Sequence, residues 1–147
     1  QKYACVWPKA AKFEGFDLKE IMREYLTGKG YDVVDCGCYT KESCDYPDFG
    51  IKAAEAVADG TVDKGIVMCT TGIGVSIVAN KVKGVRCALC HNEFTAEMTR
   101  LHNDSNVLAM GAACLEEDLA IKMVDIFLET EFSGEEKHSR RINLIEA

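Results

Sequence analysis

Cys69 closes an apolar run, Gly65-Ile66-Val67-Met68-Cys69, and is followed by Thr70-Thr71-Gly72-Ile73-Gly74-Val75-Ser76. A thiol, two hydroxyls and two glycines between a strand and a helix make a turn that can hold an anion beside an acid/base. Glycine lets the backbone approach closely, the free N–H groups of a first helical turn point outward, and the helix dipole stabilises negative charge, a thiolate included. Proton abstraction next to a carbonyl suits this arrangement. Cys69 would take the proton, Thr71 would exchange hydrogen bonds, and the amides of Thr70, Gly72, Ile73 and Gly74 would hold the charge developing on oxygen. The competing reading is a buried cysteine before a tight turn. The Gly-x-Gly spacing lacks the rest of a dinucleotide fingerprint, and no Walker lysine follows it.

Two further clusters carry polar chemistry. Arg100-Leu101-His102-Asn103-Asp104-Ser105-Asn106 ends a predicted helix. There His102 could move protons near neutral pH and Asn103 could bind hydroxyls, although Asn and Asp are also ordinary turn residues. Lys137-His138-Ser139-Arg140-Arg141 gathers four basic side chains in an acidic chain. At helical spacing Lys137 and Arg141 share a face suited to a phosphate, with a solvated charge run as the plain alternative. Asp45-Tyr46-Pro47-Asp48 opens a helix, with Asp48 expected as its cap and Tyr46 able to line a site.

These residues need a scaffold, and the chain supplies one. Its 147 residues, 48% of them hydrophobic, suffice for a single domain spanning residues 1–147. A net charge of −7 argues against a nucleic-acid surface. No apolar run approaches the roughly 18 residues of a membrane span, and the opening Gln1-Lys2-Tyr3-Ala4-Cys5-Val6 is too short and mixed for a signal peptide, so a soluble cytoplasmic protein is expected. The eight cysteines lie mostly in apolar stretches and read as reduced, mostly buried thiols. Cys87-Ala88-Leu89-Cys90-His91 matches a haem-attachment pattern but lies on a run that reads as a buried strand. Cys36-Gly37-Cys38 has no second pair at zinc spacing, so no metal is expected.

Strand patterns at 2–7, 31–36, 63–69, 84–90 and 105–110 alternate with helical patterns at 16–28, 48–60, 73–82, 93–102 and 116–130. Strands that are apolar throughout imply burial on both faces, hence an α/β fold with a parallel sheet of five strands, covered by helices through right-handed crossovers. A last helix, after Phe132-Ser133-Gly134-Glu135-Glu136, has no following strand to pack under and is expected to dock on a partner subunit. Ligands in such sheets bind beyond the carboxyl ends of the strands, where the Cys69 turn lies.

The motifs Cys69-Thr70-Thr71-Gly72-Ile73-Gly74 with Ser76 and Ala79-Asn80-Lys81, His102-Asn103-Asp104, Lys137-His138-Ser139-Arg140-Arg141, and Ser43-Cys44-Asp45-Tyr46-Pro47-Asp48 stand in register. Together they resemble the type B ribose-5-phosphate isomerase family, which also contains the galactose-6-phosphate isomerase subunits. The resemblance implies a cofactor-free aldose–ketose isomerase, a Rossmann-like three-layer sandwich, and an active site shared between subunits of a homodimer or tetramer. By it, Cys69 shuttles a proton between C1 and C2 through a cis-enediolate, Thr71 assists at the sugar oxygens, and the amides of Thr70, Gly72, Ile73 and Gly74 hold the enediolate. His102 from a second subunit helps open the furanose ring, Asn103 binds the sugar, Lys137 and Arg141 hold the phosphate, and Asp45 and Tyr46 line the pocket.

Two departures bear on the substrate. Thr70 stands where the family usually has glycine, a strained choice if the position requires positive φ. The family's Asp-His pair after the first strand is replaced by Trp7-Pro8-Lys9-Ala10-Ala11-Lys12-Phe13-Glu14. Lys9 or Lys12 could supply the lost phosphate contact, Glu14 the carboxylate, and Trp7 and Phe13 could reshape the pocket. Lys137, in a usual arginine position, loses bidentate geometry. The expected substrate is ribose 5-phosphate. The alternatives are a hexose 6-phosphate of galactose or allose type, and a non-catalytic sugar-phosphate-binding subunit.

Overall fold

The computed structural model describes residues 2–6, 12–13, 16–36 and 45–147. Apolar strands and amphipathic helices alternate along it: β1 (Lys2–Val6), β2 (Lys12–Phe13), β3 (Phe16–Asp17), α1 (Leu18–Gly28), β4 (Asp32–Asp35), α2 (Tyr46–Ala58), β5 (Lys64–Cys69), α3 (Ile73–Asn80), β6 (Cys87–Leu89), α4 (Glu93–Asn103), β7 (Val107–Gly111), α5 (Glu117–Glu129) and α6 (Glu136–Glu146). The main sheet runs β4-β1-β5-β7-β6 with parallel neighbours throughout, and β2 pairs with β3 in a separate antiparallel pair.

Alternation of side chains along the central strands divides the interior in two. Ile66 and Met68 of β5 and Leu108 and Met110 of β7 pack with Leu18, Met22 and Leu26 of α1 and with Ala120, Met123, Val124 and Phe127 of α5. The intervening Val67, Cys69, Val107 and Ala109 pack with Ala53, Ala54 and Val57 of α2 and Val75 and Ala79 of α3. Helices therefore cover both faces, and the period of two along each strand puts Cys69 on the α2/α3 side. The chain order reverses between β1 and β5, so the carboxyl end of β5 borders the crevice at the switch point.

Most expected boundaries shift by a residue or more, and three of the shifts have a clear local reason. The strand expected over 84–90 shortens to Cys87–Leu89, because Gly84 turns the chain at φ +89° and the Arg86 N–H donates to Asn106 Oδ1 at 2.8 Å. The helix expected from residue 48 begins at Tyr46. Asp45 holds the extended N-cap position, Pro47 fixes the first turn, and Asp48 lies inside the helix, where its charge complements the dipole. The helix expected from residue 16 begins at Leu18, because Phe16 and Asp17 pair with β2.

The terminal helix forms as α6 and packs on α4 of its own chain. No helix among the described residues is long and apolar enough to cross a membrane.

Candidate active site

The turn after β5 is held by backbone bonds from both flanks. The carbonyls of Cys69 and Thr70 accept the N–H groups of Ala112 and Ala113, at 2.9 and 3.0 Å, which zips the β5 turn to the turn after β7. Gly72 takes the left-handed conformation, φ 78°, as N-cap of α3. A Cβ there would stand 2.6 Å from Leu89 Cδ1 and 2.7 Å from the Met110 carbonyl carbon, and one on Gly111 would strike the Thr71 backbone. Both glycines are demanded by close approach, and Gly72 also by its dihedral. Among the described residues Asp104 is the sole non-glycine with positive φ, so Thr70 carries no such strain and leaves its side chain in solvent.

The curled backbone points Gly72 N–H at the buried Cys69 Sγ, 3.1 Å away, while Thr71 Oγ1 accepts from Ile73 N–H at 3.3 Å. A hydrogen bond to sulfur strengthens when the sulfur is anionic, and the amino end of α3 adds its dipole. Gly74 and Val75 follow in the first turn, where a helix leaves its amides without intrahelical acceptors. Tyr46 packs over this turn, since a Cβ on Gly74 would collide with its hydroxyl and ring. Cys69, Thr71, Tyr46 and the amides of residues 70–74 thus share one place. Asp45 is exposed at the start of α2.

A second group gathers at the other end of the sheet. His102 and Asn103 sit in the last turn of α4, both exposed, and His102 stacks on His138 of α6 with ring centroids 4.3 Å apart. Lys137 and Arg141 are exposed on α6, Lys137 making a loose 3.5 Å ion pair with Glu135. The run 137–141 is less uniformly cationic than its sequence implies, because His138 is only 7% exposed. Burial, chiefly, holds its imidazole below the ordinary histidine value. Asn103 is already engaged: its Oδ1 accepts from Thr99 Oγ1 at 3.2 Å.

Topology separates the two groups. Gly65 is level with Val107, and Cys69 with Gly111, a span of about 13 Å along the strands. Cys69 closes β5, whereas His102 precedes the start of β7, at the end of a helix that has run back along the sheet for about 16 Å. Among the described residues no hydrogen bond or ring contact joins the Cys69 turn to His102 or α6. In one chain they face opposite ends of the sheet.

Arg86 and His138 were missed as individual positions by sequence reasoning. A charged residue inside the apolar run 84–90 was the available signal for Arg86. A cleft of about 640 Å³ lined by Arg86, Asn103 and Glu146 lies at the His102 end and does not include Cys69. Cys90 is a core thiol and Cys87 packs half-buried against the core, desolvation pushing the Cys87 pKa up to about 12. Among the described residues no cluster of His, Cys, Asp or Glu is placed to hold a metal ion. Lys9, Glu14, Trp7 and the side chains of Lys12 and Phe13, with Ser43 and Cys44, lie outside the described residues.

A family model described as ribose/galactose isomerase matches residues 10–145. Ribose-5-phosphate isomerase B of Escherichia coli is 41% identical over 133 residues, covering 90% of this chain and 89% of its own. Ribose-5-phosphate isomerase B of Clostridium thermocellum superposes with a TM-score of 0.93 at 44% identity, over 99% of this chain and 95% of its own. The Mycoplasma genitalium enzyme of the same name, solved with bound ribulose-5-phosphate, gives 0.90 at 38% identity, over 99% and 93%.

Proposed function

The chain belongs to the ribose/galactose isomerase family, and from that premise we propose that it interconverts ribose 5-phosphate and ribulose 5-phosphate, with Cys69 as the base. The observation that carries this reading is the N–H···S bond from Gly72 to Cys69 within an amide-lined turn. The thiolate removes the C2 proton of the open-chain aldose, and that electron pair forms the C1–C2 double bond while the carbonyl pair moves onto O1. The turn amides hold the resulting cis-enediolate oxygen. The proton then passes from Cys69 to C1. The O2–H proton moves to O1 with help from Thr71, and the pair left on O2 makes the ketone.

The remaining roles lie at the other end of the sheet, so the complete site draws on two subunits. His102 of one chain carries the proton from O1 to the ring oxygen during opening, Asn103 binds a hydroxyl, and Lys137 with Arg141 holds the phosphate against the Cys69 turn of the other. A two-fold dimer makes two such sites from one interface, with α6 lying across it. Lys12 supplies a further phosphate contact, and Asp45 and Tyr46 border the sugar.

Turnover of ribose 5-phosphate, galactose 6-phosphate and allose 6-phosphate by the purified protein tests the proposal. Preference for the pentose, with a loss of about 10²–10⁴-fold in Cys69→Ala, is expected. Preference for a hexose would transfer the mechanism to that substrate. No turnover of any of them would leave only a sugar-phosphate-binding role.

A further inference from the structure

Arg86 spreads its guanidinium over two elements of the chain. Nε donates to the Asn103 carbonyl at 2.9 Å and Nη2 to the Asp104 carbonyl at 2.9 Å, while Nη1 donates to Glu146 Oε1 at 2.7 Å. The first two bonds cap the carboxyl end of α4, whose last carbonyls have no intrahelical donors. The third fastens the far end of α6. The guanidinium is itself anchored by its backbone, since Arg86 N–H donates to Asn106 Oδ1 and the Arg86 carbonyl accepts from Asn106 N–H at 3.0 Å. With the Arg86 side chain 19% exposed and that of Glu146 31%, the pair is partly shielded from water, and the planar fork satisfies three acceptors at fixed angles.

The helix end that Arg86 caps carries His102 and Asn103, and the helix it fastens carries Lys137 and Arg141. Asp104, which closes α4 in the left-handed conformation at φ 44°, is held there by Arg100 Nη1 at 2.8 Å as well as through its carbonyl by Arg86. We infer that Arg86 is a positioning residue, which sets the ring-opening histidine and the phosphate-binding helix at a fixed spacing without touching substrate. The inference rests on the proposed role of His102.

Ring opening can be separated from proton transfer. Ribulose 5-phosphate has its C5 oxygen esterified and cannot close a furanose through it, so exchange of its C1 hydrogen with deuterated water needs Cys69 but no opening step. Ribose 5-phosphate must first be opened. Full-length Arg86→Met, Arg86→Lys, Glu146→Gln and His102→Asn are compared with the parent in both assays at saturating substrate. Arg86→Met is expected to lower kcat on ribose 5-phosphate by about 10–100-fold, with a raised KM, while C1 exchange stays within about threefold. Arg86→Lys, a cation without the fork, does not restore it. Glu146→Gln gives a smaller loss of the same selectivity.

Parallel loss in both assays, or an unchanged kcat in Arg86→Met, overturns the inference and leaves the isomerase reading intact if His102→Asn still loses ring opening selectively. Absence of that selective loss in His102→Asn overturns the role of His102 and the inference together. Should Arg86→Met fail to fold, Glu146→Gln decides, and either no loss or a parallel loss there overturns it.

Discussion

His102 and His138 stack at 4.3 Å with their rings inclined by 20°, one imidazole open to solvent and the other covered by α4. Burial is the main reason that the His138 pKa is lowered. Positive charge on His102, Lys137 and Arg141 acts in the same direction, and Glu135 opposes it. A histidine lowered in the folded state is protonated first in the unfolded chain, so stability falls as pH drops from 6.5 through the folded value and is retained above both. The thermal midpoint is expected to drop as the pH is lowered below 6.5, and that part of the profile flattens in His138→Gln. An equal slope in the variant would assign the effect to another group.

Two variants impaired on ribose 5-phosphate should restore each other. Cys69→Ala and His102→Asn damage opposite ends of the sheet, so in the proposed two-subunit site a mixed dimer pairs the intact half of one chain with the intact half of the other. Unfolding and refolding the two together in equal amounts is expected to regain about a quarter of parental activity, since half the dimers are mixed and each has one complete site. Activity no higher than that of the separate variants would place both residues in a single-chain site.

Gly72→Ala is expected to lower stability by about 2–4 kcal/mol, combining left-handed strain with a collision against backbone that cannot swing aside. Urea denaturation reads this directly. A loss under about 0.5 kcal/mol would mean that the turn relaxes freely.

Arg100 is 5% exposed, and donates from Nε to the Thr130 carbonyl at 2.9 Å and from Nη1 to the Ser105 carbonyl at 2.6 Å. Arg100→Met strands the buried Ser105 carbonyl and the half-buried Thr130 carbonyl and is expected to destabilise by about 2–4 kcal/mol in urea unfolding. Arg86→Met, whose carbonyl partners lie nearer solvent, should lose less.

The alternation of strand and helix was legible because apolar runs and amphipathic stretches differ in period, and the Cys69 turn was legible because its glycines and hydroxyls are consecutive. What escaped the sequence depends on residues distant along it. Arg86 looked like part of a strand, and only Asn106, twenty positions on, diverts its amide from the sheet. His138 looked like one of four surface cations, and only the packing of α6 on α4 buries it. Thr70 looked strained by comparison with a glycine-bearing family, whereas the positive φ falls two residues later, on Gly72. The stretch at residues 7–14, where this chain departs most from the family's pattern, contributes no described side chain to this picture.

The zipping of the β5 and β7 turns through Ala112 and Ala113 has a consequence for how this chain tolerates change. Those bonds use the carbonyls of Cys69 and Thr70 and make no demand on the Thr70 side chain. In a library randomised one codon at a time, position 70 should retain many active members, while positions 72 and 111 collapse to glycine and position 69 to the thiol. The backbone alone sets where the amides of the turn point, and the exposed side chain at 70 is free to vary.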